Sequence, residues 1–271
     1  MEVRGFAGWV LLTAAVSPAF GGGLVYQTQS RSISAITSAD GNSQAVSAPD
    51  FAPFVQAINL TAEIPTTTGP TTTRGNPAID CQLDPNAIRT TGSLTAAGGI
   101  SIAGGTPTVE FGEARGDVIV TFEVTIATPF TLTASERPSG DPADSYELRL
   151  RDVSHGHSII ELDQTSPPQA VNISSVINPG TYELRYVVEL HSDGSELTAP
   201  FSLNFALHAC GSADFDGDGS SGTDADIQSF FSCLAGSCCP TCGSADFNGD
   251  GDTGTDADIE AFFRVLAGGT C

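Results

Sequence analysis

Oxygen-bearing side chains recur at alternate positions in two short strings: Asp214, Asp216 and Asp218 before Gly219, and Asp246, Asn248 and Asp250 before Gly251. Alternate residues of a tight loop can turn their oxygens toward one point. A hard cation such as Ca2+ takes roughly six to eight oxygens, and a glycine after the third ligand permits the sharp turn. The spacing therefore predicts two Ca2+ loops, with Ser220 and Asp252 each contributing a backbone carbonyl. Ala225 and Ala257 stand at the twelfth positions, where an acidic ligand is needed. Each loop thus runs one residue long, and the aspartates that flank these alanines, Asp224 and Asp226 in one copy and Asp256 and Asp258 in the other, are the candidate closing ligands. The competing reading is that Asp226 and Asp258 cap the N-terminus of a following helix and complement its dipole. One residue can do both.

A helix after each loop is what the next residues specify. Ile227, Phe230, Phe231 and Leu234 fall at i, i+3, i+4 and i+7, as do Ile259, Phe262, Phe263 and Leu266, so each copy carries one apolar helical stripe ending at Gly236 or Gly268. Residues 210–239 and 242–271 are two copies of the same loop and helix, held in register without a gap. Gly-Ser-Ala ahead of each loop is too short for the entering helix of a full EF-hand.

This duplicated half-hand resembles a type I dockerin-like module, of the variety flanked by Gly and Cys in secreted bacterial proteins. The resemblance covers residues 210–271, less than a quarter of the chain. It implies a small α domain, two bound Ca2+ ions with loops closed by Asp226 and Asp258, Asp224 and Asp256 being in reserve, and a cohesin-like partner domain on a surface or scaffold protein. The positions that face the partner in the family correspond to Thr223 and Asp224, and to Thr255 and Asp256. Because both repeats present the same pair, the resemblance implies two binding orientations related by an internal pseudo-twofold.

Charge and size make the ions necessary. The repeats hold eleven acidic side chains against Arg264 alone, and their large apolar side chains are little more than two Ile, two Leu and six Phe. A domain near sixty residues is marginal without staples, so cation binding is expected to be part of its folding energy. Six of the seven cysteines lie here too. No His falls within the repeats, so disulfides are expected rather than zinc. Cys210 and Cys239 bracket the first repeat as Cys242 and Cys271 bracket the second, which favours Cys210–Cys239, Cys242–Cys271 and Cys233–Cys238 among the fifteen connectivities that six cysteines allow. Cys81 is left as a free thiol.

The N-terminus agrees with export. Arg4 precedes an apolar run from Phe6 to Val16, and Ser17 and Ala19 have the spacing a signal peptidase reads, so residues 1–22 are expected to be a signal peptide. The run is too short to span a bilayer comfortably, no second long apolar stretch follows, and the mature chain is expected to be extracellular or cell-surface with no transmembrane segment. The net charge is −22 and all ten basic residues are Arg. Such acidity argues against nucleic acid or an anionic membrane as partner.

Residues 24–209 are expected to form one all-β sandwich with jelly-roll character. Apolar residues alternate at Val118, Val120, Phe122, Val124 and Ile126, at Phe130 and Leu132, at Tyr146, Leu148 and Leu150, at Tyr182, Leu184, Tyr186, Val188 and Leu190, and at Phe201, Leu203, Phe205 and Leu207. Turns separate them at Pro138–Pro142, Asn178–Gly180 and Ser192–Gly194. Ser32–Thr37 and Gly99–Ala103 read as strands of the same domain and Pro65–Thr73 as an exposed loop. The run Gly180–Tyr186, after a Pro, resembles a strand of secreted bacterial β-sandwich modules, including pre-peptidase C-terminal domains.

No spacing in the sandwich singles out a catalytic set. His155, His157 and Glu161 read better as a polar loop around Gly156 than as metal ligands, Gly99–Ala103 lacks the last glycine of a nucleophile elbow, and no carboxylate pair stands out for glycoside hydrolysis. Trp9, the only Trp, falls in the signal peptide, and Tyr182 and Tyr186 sit in an apolar run that favours core packing over a sugar platform. The expectation is a secreted, non-catalytic protein anchored or assembled through its calcium module. The alternative is a carbohydrate-binding or polysaccharide-degrading component of an extracellular complex.

Overall fold

The structure is a computed structural model that describes residues 23–64, 70–103, 106–125, 127–135, 144–163, 170–208, 210–250 and 252–269. The expected signal peptide, the Pro138–Pro142 turn, Ile126, Gly251 and Cys271 lie outside these residues.

Fifteen strands precede two helices: β1 (Leu24–Thr37), β2 (Asn42–Ser47), β3 (Phe54–Ala57), β4 (Leu60–Ile64), β5 (Thr71–Asp84), β6 (Ala87–Ala97), β7 (Gly99–Ala103), β8 (Thr106–Glu110), β9 (Gly112–Val124), β10 (Thr128–Ala134), β11 (Ser145–Asp152), β12 (His157–Asp163), β13 (Val171–Ile177), β14 (Gly180–Ser192) and β15 (Leu197–Leu207), then α1 (Asp224–Leu234) and α2 (Asp256–Leu266). Two antiparallel sheets form a sandwich, ordered β12-β11-β14-β9-β1-β2 and β13-β10-β15-β6-β5-β3, with β4 also on β5 and β7-β8 as a separate ribbon. From β9 onward the chain mostly passes from one sheet to the other between successive strands. Neighbours in each sheet therefore come from distant parts of the sequence. Thr71–Thr73, expected in a loop, begin β5, and Thr73 is buried; residues 65–69 of that expected loop lie outside the described residues.

The alternation that identifies the strands also builds the core. In β9 every second residue from Gly112 to Val124 is buried, and Tyr182, Leu184, Tyr186, Val188 and Leu190 of β14 face the same interior as Phe201, Leu203, Phe205 and Leu207 of β15. The Phe122 ring lies 6.0 Å from Tyr182 within its sheet and 5.3 Å from Phe205 across the sandwich. Gly92, paired with Phe201, is one place where no side chain fits: a Cβ there would come within 2.3 Å of the Phe201 ring. Tyr182 and Tyr186 are core residues, each with its hydroxyl partnered, to Asn178 O at 2.9 Å and Ser135 Oγ at 3.3 Å.

Arg31 is the least expected member of this interior. It is fully buried, yet no carboxylate meets it; its guanidinium donates to the carbonyls of Cys81 (3.2 Å), Asp50 (2.6 Å) and Ala52 (2.8 Å) and to Gln29 Oε1 (3.1 Å). A buried cation is tolerated when its donors meet acceptors, and these four bonds tie the 48–52 loop to β1 and β5. Cys81 is a buried free thiol whose ionisation burial pushes up.

The C-terminal module has its own core. Phe215, Phe230, Phe247 and Phe262 are buried almost completely, with Phe230 and Phe262 stacked at 4.1 Å and the loop phenylalanines edge-on to both. The two copies exchange backbone bonds, Gly211 N to Phe247 O and Gly243 N to Phe215 O, both at 2.9 Å. Each glycine lies under the other copy's Phe ring; at Gly211 a Cβ would come within 2.5 Å of Phe247.

Candidate metal centre

Asp214, Asp216 and Asp218 meet at the first loop. Their carboxylate oxygens lie within 4.8 Å of one another, and among the described residues they are the one group of three or more His, Cys, Asp or Glu that converges in this way. Backbone turns set the arrangement: Asp218 N donates to Asp216 Oδ1 (3.1 Å), Ser220 N to Asp218 Oδ1 (2.7 Å) and Gly219 N to Asp214 Oδ2 (3.0 Å). Gly217 and Gly219 hold φ of 74° and 92°, a region side chains rarely adopt. The other Asp214 oxygen, Oδ1, is buried with no hydrogen-bond partner. An unpaired buried carboxylate oxygen is costly, and a cation among three carboxylates would both satisfy it and offset their repulsion. An all-oxygen donor set suits a hard cation.

The second loop repeats the turns. Asp250 N donates to Asn248 Oδ1 (2.9 Å), Asp252 N to Asp250 Oδ1 (2.8 Å), and Asn248 Nδ2 to Asp250 Oδ2 (2.8 Å). With Asn in the middle the string carries one negative charge fewer.

Asp226 and Asp258, the expected closing ligands, stand apart from the cluster. Neither joins the carboxylate cluster, because each is fully buried and spends both oxygens on the chain. Asp226 Oδ1 accepts from Phe215 N (2.7 Å) and Asp216 N (3.3 Å), while Oδ2 accepts from Thr223 N (2.7 Å) and Thr223 Oγ1 (2.9 Å). Asp258 does the same with Phe247, Asn248 and Thr255. These are capping-box residues three positions into each helix, and they also clamp each helix to the start of its loop. Burial alone would raise both carboxyls, but the hydrogen bonds from Thr223 or Thr255 and from the loop amides outweigh it and hold them below the ordinary carboxylate value.

The positions matched to partner contact open the helices. Thr223 and Thr255 are half-buried N-caps, and Asp224 and Asp256 are exposed in the first turns. Of the expected apolar stripe, Phe230 and Phe262 are buried, but Phe231 and Phe263 are 42% and 45% exposed and lie 6.2 Å apart across the pseudo-twofold. The stripe is wider than the interface two short helices can close.

Two expected disulfides are not those formed. Cys239 pairs with Cys242, joining the end of one repeat to the start of the next, so neither Cys210–Cys239 nor Cys242–Cys271 exists. Cys233 pairs with Cys238, and Cys210 is also disulfide-bonded. The short turn between the copies brings Cys239 and Cys242 together, with Cys242 N donating to Cys239 O at 3.2 Å.

In the sandwich, His155, His157 and Glu161 do not converge. His155 Nδ1 binds buried Asp152 at 2.9 Å, the two imidazoles are 6.4 Å apart, and Glu161 accepts from Ser158. The sequence reading missed the outer face of the first sheet. There Arg115 bridges Asp117 and Glu189, Arg149 reaches Glu183, and Arg185 bonds Glu147 at 2.5 Å. Burial and the adjacent Glu189 raise the Glu113 carboxyl. The signal was present as alternate charges in Glu113-x-Arg115-x-Asp117 and Glu183-x-Arg185.

No family model and no curated protein matches the chain. Two solved structures are similar at low level. The enzymatically active domain of tailspike protein 4 from bacteriophage CBA120 is 10% identical with a TM-score of 0.23, over 56% of this chain and 19% of that one. The GH31 α-xylosidase of Xanthomonas citri is 9% identical with a TM-score of 0.17, over 72% and 32%. The chain thus spans less than a third of either. No helix among the described residues is long and apolar enough to cross a membrane.

Proposed function

We propose that this is a secreted, non-catalytic protein whose jelly-roll-like sandwich is cargo or an interaction domain, carried by a calcium-dependent docking module at residues 210–271. Two Ca2+ ions would be held by Asp214, Asp216, Asp218 and the Ser220 carbonyl, and by Asp246, Asn248, Asp250 and the Asp252 carbonyl. The ions neutralise clustered charge and fix the loops that present Thr223, Asp224, Thr255 and Asp256 to a cohesin-like domain. The observation that carries the reading is the convergence of three aspartates around the buried, unpartnered Asp214 Oδ1.

Isothermal titration of the full chain with Ca2+ tests it. Two binding events are expected, with Asp218→Ala and Asp250→Ala each removing one. Heat-silent titration in the wild type would end the reading. Retention of the calcium-free chain on an insoluble polysaccharide would instead favour a carbohydrate-binding component.

A further inference from the structure

The two repeats are near copies, yet they are not placed alike, and the difference runs through His208. This residue follows the last strand, and only it and one other residue separate Leu207 from Cys210, where the first repeat begins. A connection that short keeps the module within roughly 10 Å of the end of β15, so any complementary face on the sandwich meets it at high effective concentration. The imidazole is half-buried and uses both nitrogens. Nδ1 lies 2.6 Å from Gly249 O in the second loop, and Nε2 lies 3.1 Å from Thr131 Oγ1 on β10. A carbonyl only accepts, so Nδ1 carries the proton. The Thr131 hydroxyl donates to Nε2 when the ring is neutral and accepts from it when the ring is charged.

Around this clasp lies a cavity of about 420 Å3 with Thr131 and Ser175 of the sandwich on one side and Asn248, Asp250, Glu260 and Arg264 of the second repeat on the other. Among the described residues none of the first repeat lines it. The duplication supplies an independent observation. The copies differ at nine of thirty positions, yet four of the six second-repeat residues lining the cavity are among the nine: Asn248 for Asp216, Glu260 for Gln228, Ala261 for Ser229 and Arg264 for Ser232. The divergence collects where the second repeat faces the sandwich.

We infer that the second repeat is an intramolecular docking surface whose occupant is the β10–β13 edge of its own sandwich, clasped by His208. Resting on the proposed docking function, this means that the sandwich stands beside one of the two repeats a partner could grip, so the two orientations of an isolated module are no longer equivalent in the whole protein.

Amide 15N relaxation of the full chain in saturating Ca2+ tests the arrangement. One shared tumbling time is expected for sandwich and module. His208→Ala, Thr131→Val and Arg264→Ala should each free the module, so that its tumbling time falls below the sandwich's, while Ser232→Ala, the matching change in the first repeat, should not. Separate tumbling in the wild type, or variants that all keep the shared time, would overturn the inference. Calcium-induced shifts of the loop amides, read from the same spectra, report on the calcium reading independently. Shifts with separate tumbling sink only the docking, and shared tumbling without shifts sinks only the calcium reading.

Discussion

The sandwich and the C-terminal module reach order by different means, and the difference shows in the size of the core each builds and in what reinforces it. Among the described residues the sandwich buries 33 core residues in one cluster, which also encloses Arg31. The module buries seven, adds disulfides, and leaves an aspartate oxygen buried and unpaired. A large core tolerates the loss of any one contact, whereas a small one depends on covalent and ionic reinforcement. The module is the part whose folding a ligand can govern.

Equal truncations should break the two regions unequally. Phe262→Ala removes a ring from a stacked cluster and should cost about 3–5 kcal/mol, comparable to the whole stability of so small a domain. Leu203→Ala in the sandwich should cost about 2–5 kcal/mol yet leave it folded. Calorimetry of the full chain should show the module's transition abolished by the first change and the sandwich's merely lowered by the second. A module that survives Phe262→Ala would erase the contrast.

Reduction comes next in size. The Cys233–Cys238 and Cys239–Cys242 bridges close short loops, five and three residues in span, and the loop-entropy relation gives about 2 kcal/mol for each. Reductant should lower the module's melting temperature and leave the sandwich's unchanged, since Cys81 is already a thiol.

Acid sharpens the comparison least. The Asp226 and Asp258 carboxyls titrate below 3.8 when folded. Their stabilisation is therefore fully present above that value and is lost as pH falls through the lower folded pKa. Asp226→Asn, which removes the charge and turns an amide donor toward chain donors, should cost about 1–2 kcal/mol at neutral pH and flatten the module's melting-temperature profile as pH falls below about 4, under the ordinary carboxyl value. An unchanged slope would mean that the cap does not govern acid sensitivity.

Much of this contrast was legible in the residues. Val118 to Val124 and Phe201 to Leu207 alternate strongly because one face of each strand is buried, and the twofold repetition of Asp-x-Asp-x-Asp-Gly needs no structure to be seen. Other features depend on what lies across space. Thr71–Thr73 read as loop because small polar residues carry no periodicity, and they became strand only by pairing with β4. Asp226 had the right chemistry for a ligand, but which way its oxygens face is decided by the amides of Phe215 and Thr223. The cysteine pairing depends on where the repeat ends lie, and Phe231 belongs to the stripe while the partner helix is too narrow to cover it. His208 gave no signal, since a lone histidine after a strand acquires a role only when β10 and the second loop arrive on either side.

The Cys239–Cys242 bridge has a consequence for the molecule under tension. Between a cargo and an anchor the load passes through sulfur and skips Pro240 and Thr241, just as the Cys233–Cys238 link skips the end of the first repeat. In a force-extension record these two bridges should together withhold roughly 20 Å of contour, at about 3.5 Å for each Cα–Cα step they bypass less their own spans.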